Sequence, residues 1–279
     1  MDQAGQRREF AAFLRARRER LDPRELGLPV TGPRRTPGLR REELALLAGV
    51  SVDYYVRLEQ GRDLRPSSSV LTALARALQL GPDEREHLFR LGRAESVPRR
   101  APAPQQVRES VLRLLTALEP NAAFVLGRGL DVLAWNRISA ALLTDFAAVP
   151  AAHRNMVRLV FLHPGVRDVY ADWVHVARDS VGYLRSAVGR YPDDAALTAL
   201  VGELSVKSEE FRTWWSQQDV MQKRGGTKTF AHPLVGRLVL DYDALTLQED
   251  DQQLIVYTAP AGSPEQASLE LLATLAVSA

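Results

Sequence analysis

The stretch LAGVSVDYYVRLEQGR, Leu47 to Arg62, places a glycine turn before a short helix with two tyrosines and an arginine on it. Leu58 takes the core side of that helix. Val52, Asp53, Tyr54 and Arg57 are left facing outward, and Tyr55 fits either side. Those side chains suit the major groove of B-DNA, which admits an α-helix whose first residues meet the base edges. A valine there can touch a thymine methyl, and an arginine can reach guanine or phosphate. Ser51 can cap the helix start. Arg40, Arg41 and the free amides of the preceding helix, with Arg62 beyond the exit, suit phosphates. The candidate DNA contacts are thus Arg40, Arg41, Ser51, Val52, Asp53, Tyr54, Arg57 and Arg62.

A second set lies further on. All four tryptophans, Trp135, Trp173, Trp214 and Trp215, follow residue 107. Aromatic walls with a few polar groups are the make-up of small-molecule pockets. Arg158 and Arg185 sit on mostly apolar helix faces, and a buried arginine needs an anion. A ligand carboxylate is one candidate; an internal Asp or Glu is the commoner one. Asn136 beside Trp135 offers a donor and an acceptor next to an aromatic wall. His232 could line the site or cap a strand. The candidate ligand contacts are Trp135, Asn136, Arg158, Phe161, Arg185, Trp214 and His232.

Other chemistry is not encoded. With no cysteine, thiolate metal sites, disulfides and Cys nucleophiles are excluded. The five histidines lack the i to i+4 spacing of a helix-borne metal pair. There is no GxSxG elbow and no glycine-rich phosphate loop. Asp241 and Asp243 flank Tyr242 on one strand, where an exposed face explains them better than a carboxylate pair. The expectation is a protein that is not an enzyme and needs no metal or cofactor.

Two parts must hold these residues. Residues 1–100 carry 20 Arg and no Lys against 14 acids, and the remainder carries 16 basic residues against 20 acids. A basic front on an acidic body points to an anionic partner for the front. Before residue 97 everything reads as short helices: Phe10, Phe13, Leu14 and Leu21 on a first, Leu44, Leu47 and Ala48 on a second, Val52–Glu59 a third, a fourth after Ser67, and a fifth from Pro82. Four prolines between Asp22 and Leu39 make that connection irregular. VPRRAPAPQQ, Val97 to Gln106, reads as a linker. Beyond it come a helix and a hairpin around Gly127-Arg128-Gly129. Helices follow over Asn136–Phe146, along Tyr170–Val188 and through Leu197–Leu204. Three strands come after Gly225, then a last helix capped at Ser263. That is an all-α domain over 1–96, a linker over 97–106 and an α+β domain with an antiparallel sheet over 107–279. No apolar run approaches the roughly 20 residues of a membrane span, and a cytoplasmic protein is expected.

From about Arg7 to Gly92 the sequence resembles the helix-turn-helix domain of the xenobiotic response element regulators. RREELALLAGVSVDYYVRLEQGR followed by Pro66-Ser67 is similar to the MmyB-like subgroup, which shares the long Asp22–Leu39 insertion. Arg34, Arg35 and Arg40 in or beside it could add backbone contacts. The resemblance continues through VLAWNRISAALL, NMVRLVFLHP, SEEFRTWW, FAHPLVGRLVL and QQLIVYTAPAGSPEQASLELL. It implies a PAS-like second domain, a small sheet with helices over one face, enclosing a small apolar ligand such as a fatty acid. It also implies that Glu59 pairs with Arg18, or with Arg17, on the first helix. The whole reads as a ligand-responsive regulator, a homodimer on a pseudo-palindromic operator. The other reading keeps the DNA-binding front and makes the second domain an oligomerisation or protein-partner platform.

Overall fold

The computed structural model describes residues 3–28, 38–62, 66–92, 105–192, 194–222, 224–247 and 251–276. The chain forms two compact units. One comprises 1–102 with 188–195 and 214–221; the other comprises 103–187, 196–213 and 222–279. Most of the expected linker, and Arg34 and Arg35 of the insertion, lie outside the described residues.

The first unit holds α1 (Gln3–Arg20), α2 (Arg41–Ala48), α3 (Val52–Glu59), α4 (Ser68–Ala77) and α5 (Pro82–Gly92). Phe10, Phe13 and Leu14 recur at helical spacing and bury the inner face of α1. They meet Leu44, Tyr55, Leu58, Leu71, Leu74 and Leu88 in one core, which Val220 of the 214–221 segment joins. Tyr55 is therefore core. On α2 the core residues are Leu44, Ala45 and Ala48, whereas Leu47, expected inside, is exposed beside Leu46. Leu44 and Ala48 are i and i+4 on one face, and a three-residue step to Leu47 falls at its margin. Gly49 takes φ 64°, which ends α2 in the left-handed conformation a glycine adopts without strain. Ser51 then accepts from the Tyr54 amide, and Ser67 from the Val70 amide, as helix starts require. Where the long insertion returns at Gly38, a side chain would collide with the backbone of Arg18 and Glu19, 2.5 Å away. That close approach lets the Leu39 amide reach the Arg18 carbonyl.

The second unit is built on a five-stranded antiparallel sheet: β1 (Ala122–Leu126), β2 (Val132–Trp135), β3 (Gly225–His232), β4 (Gly236–Leu247) and β5 (Gln252–Thr258). Their order is β2-β1-β5-β4-β3. The helices after residue 105 are α6 (Glu109–Ala117), α7 (Arg137–Leu142), α8 (Met156–Leu162), α9 (Pro164–Val169), α10 (Trp173–Arg190), α11 (Ala195–Lys207), α12 (Glu209–Ser216) and α13 (Pro264–Leu275), of which 188–190, 195 and 214–216 are grouped with the first unit. The helix expected over Asn136–Phe146 is shorter, ending at Leu142. Alternation assigns the two faces of the sheet. Ala123, Val125, Ala134, Leu254 and Val256 pack against Val111 and Leu115 of α6. The opposite face carries Phe124, Phe230, Leu238, Leu240, Tyr242 and Tyr257, all buried. The α6 side is covered only over β1, β2 and β5, where both sets of alternate residues are apolar; on β3 and β4 the residues of that side are mostly exposed. Ser263 caps α13, accepting from the Gln266 amide.

Candidate nucleic-acid interface and sensor interior

The outward surface of α3 is as the sequence orders it. Ser51, Val52, Asp53 and Arg57 are exposed, Val52 at 46 %, and Tyr54 is half-buried. Arg57 lies 3.9 Å from Asp53 and 5.8 Å from the centre of the Tyr54 ring, contacts loose enough for the guanidinium to swing to a partner. Arg62 is exposed just past the helix. At the start of α2 the Arg40 amide is already taken by the Glu43 carboxylate at 2.7 Å. Two acids in that first turn, Glu42 and Glu43, weaken it as a phosphate site.

Behind this surface lies a buried carboxylate. Glu59 is fully buried and accepts from Arg18 Nη2 at 2.7 Å, Arg18 Nε at 3.3 Å and Arg41 Nε at 3.0 Å. Arg15 Nε is 3.5 Å away. Burial alone raises the Glu59 carboxyl, but the bonds from Arg18 and Arg41 outweigh it and hold it below the usual carboxylate value. Arg18 also donates to the Leu39 carbonyl, so one guanidinium ties α1, α3 and the end of the insertion together. The partner of Glu59 is thus Arg18. Arg17 pairs with Glu84 at 2.6 Å and with Asp219 and the Gln218 carbonyl. Arg41, a candidate phosphate contact, spends its Nε on Glu59 while its side chain stays 45 % exposed.

In the second unit several expected ligand contacts have structural employment. Asn136 is the N-cap of α7. Its oxygen accepts from the Ala123 and Ser139 amides, and its nitrogen donates to the carbonyls of Leu115 and Asn121. Both donors and both acceptor positions are used, so it has none left for a ligand. Arg158 meets the internal acid Glu203 through two bonds, of 3.1 and 2.7 Å, so it is no free carboxylate clamp. Phe161 packs edge-on against Trp173 and Phe211. His232 caps the β3–β4 turn: Nδ1 accepts from the Leu234 amide and Nε2 donates to the Ala141 carbonyl. Trp214 is grouped with the first unit. Arg185 is fully buried in α10, and Trp135 is half-buried against Phe146 and Arg154.

The polar interior the sequence reading missed is elsewhere. Asp179 and Tyr183, one turn apart on α10, face β3 and β4. Lys228 Nζ lies 2.8 Å from Asp179 Oδ2 and 5.6 Å from the centre of the Tyr242 ring. The hydroxyls of Tyr183 and Tyr242 are 3.3 Å apart. Tyr242 pairs across the sheet with Tyr257, and Phe230 lies between the rings of Tyr257 and Tyr170. Burial pushes the Tyr170 hydroxyl up to about 12, and Tyr257 well above its ordinary value. The signal was in the sequence: Lys228 stands in the strand GGTKTFAH on the side of Phe230 and His232, where a charge is out of place.

Among the described residues, no group of three or more His, Asp or Glu side chains could hold a metal ion, and no helix is long and apolar enough to cross a membrane. No curated protein matches the chain. A model of a helix-turn-helix domain matches residues 9–88, which hold most of α1 and α5 and all of α2 to α4. The model of the MmyB-like transcription regulator ligand binding domain matches residues 107–272, more than half of the chain, and the chain belongs to that family.

Proposed function

We propose that this transcription regulator binds its operator by laying α3 in the major groove and answers to a small, largely apolar molecule held in the second domain. The observation that carries the DNA half is the exposed row Ser51, Val52, Asp53 and Arg57 at the start of a capped helix directly after a glycine turn. A valine kept at 46 % exposure is a group awaiting an apolar partner, and a thymine methyl in the groove supplies one. Arg57 reads a base, Arg62 and the exposed part of Arg41 meet phosphates, and two copies of the chain address a pseudo-palindromic site about one helical turn apart. The antiparallel sheet under α10, with aromatic side chains along one face, supports a PAS-like sensor and a ligand of the fatty-acid size class. Ligand shifts the population between two arrangements of the dimer, which changes operator affinity.

The test is selection of bound sequences from random duplex DNA, followed by affinity measurements at several salt concentrations. Arg57→Ala costs about 1–3 kcal/mol and relaxes the preference at one position. Arg62→Ala weakens all sequences alike and lowers the salt slope by about 1. Unchanged affinity in both variants removes α3 from the groove. The platform reading of the second domain predicts instead that no small molecule alters operator binding.

A further inference from the structure

Asp53 is the residue least expected on a surface that faces a polyanion. It stands in the first turn of α3, beside Val52 and one turn before Arg57, and its side chain is 87 % exposed. Glu43 and Glu59, on α2 and α3, are both committed: one accepts from the Arg40 amide, the other from Arg18 and Arg41. Among the described residues the Asp53 carboxylate has one ionic contact, Arg57 Nε at 3.9 Å, too long for a hydrogen bond. Nor is Asp53 needed as the helix cap, because the Ser51 hydroxyl already accepts from the Tyr54 amide. Its charge does suit a helix start, and that is the structural role to be told apart from a reading one.

On DNA a carboxylate is repelled by every phosphate near it. The major groove offers it two kinds of donor, the amino groups of cytosine and adenine. Adenine N6 lies between two acceptors, its own N7 and thymine O4, whereas cytosine N4 has guanine O6 on one side alone. A carboxylate, which only accepts, therefore fits cytosine better. We infer that Asp53 is a specificity-determining residue that accepts from the N4 amino group of a cytosine in the operator. The inference rests on the groove-docked α3 proposed above and names a base that it reads. Away from that base the same charge lowers affinity. Asp53 thus rejects wrong sequences as much as it selects the right one.

The experiment is selection from random duplex DNA with full-length wild type, Asp53→Asn and Asp53→Ala, followed by affinity measurements on the selected site and on unrelated duplex. Wild type selects cytosine at one position of each half-site, and any other base there weakens binding about tenfold. Asp53→Asn, which donates to adenine N7 as well as accepting from N6, selects adenine at that position. Asp53→Ala selects no base there and keeps the preferences at the other positions. It also binds unrelated duplex more tightly at low salt. If all three proteins select the same base at every position, Asp53 is only a favourable charge at the helix start and the inference is overturned. A wild-type preference for another base at the position the variants alter overturns it too, and both results leave α3 in the groove. If wild type enriches no sequence at all, the groove reading itself falls and takes the role of Asp53 with it.

Discussion

The two units each bury a carboxylate, and they finish it differently. In the first, Glu59 draws bonds from Arg18 and Arg41 and has Arg15 close by, and Arg18 uses a further donor on the Leu39 carbonyl. In the second, Asp179 has one close buried cation, Lys228, and an exposed His175 3.6 Å away. A completed network holds backbone segments in fixed register, which a recognition helix needs if its side chains are to meet base edges. The difference is in the number of cations that hold the carboxylate, not in burial, since both carboxylates lie out of solvent.

The comparison breaks first at Glu59. Replacing Glu59 by Ala strands a buried guanidinium and costs about 3–5 kcal/mol in denaturant unfolding of the full chain, with loss of DNA binding before any loss of ligand binding. A loss under 1 kcal/mol means that the cluster is ornamental. Asn136→Ala comes next, at about 2–4 kcal/mol, because it removes a helix cap and leaves the Ala123 amide and the Leu115 and Asn121 carbonyls to find other partners. If Asn136 instead served the ligand, the variant would unfold normally and bind poorly.

The acid limb of the stability curve sharpens the contrast. The Glu59 carboxyl is held below its usual value, so its contribution is present above about pH 4.5 and is lost as pH falls through the lowered folded value. Glu59→Gln is expected to flatten that limb in urea titrations at pH 3 to 6. An unaltered pH profile assigns acid sensitivity to other groups. Arg158→Ala gives the smallest effect, about 1 kcal/mol, because its pair with Glu203 is partly solvated. Ligand affinity in that variant stays within twofold of wild type; a larger fall restores the carboxylate clamp that the sequence suggested.

How far the site could be read in advance depended on range. The turn at Gly49, the cap at Ser51 and the exposed face of α3 follow from residues within about ten positions of one another, and local rules settle them. The same holds for Ser263 and α13, and for the alternation of Leu238, Leu240 and Tyr242 on β4. In the second unit, apart from the early end of α7 at Leu142, the differences were about partners. Arg158 and Glu203 are 45 residues apart, and Asn136 reaches back to Leu115; no spacing in the chain announces either. The sequence could require an anion for Arg158 but could not say whose.

The chain by itself determined that there is a helix-turn-helix domain, an α+β domain with an antiparallel sheet after it in the chain, and no cysteine chemistry; that the early hairpin and the three later strands join in one sheet came from the tertiary structure. Hydrophobic period, turn residues and composition are local properties of the chain. Tertiary structure alone decided which polar groups are spent and which are kept. It chose Arg18 over Arg17 for Glu59, closed every hydrogen bond of Asn136, and brought Asp179 of α10 to Lys228, 49 residues later on β3. Long-range pairing of buried charge depends on where the packing of helix on sheet sets two side chains side by side.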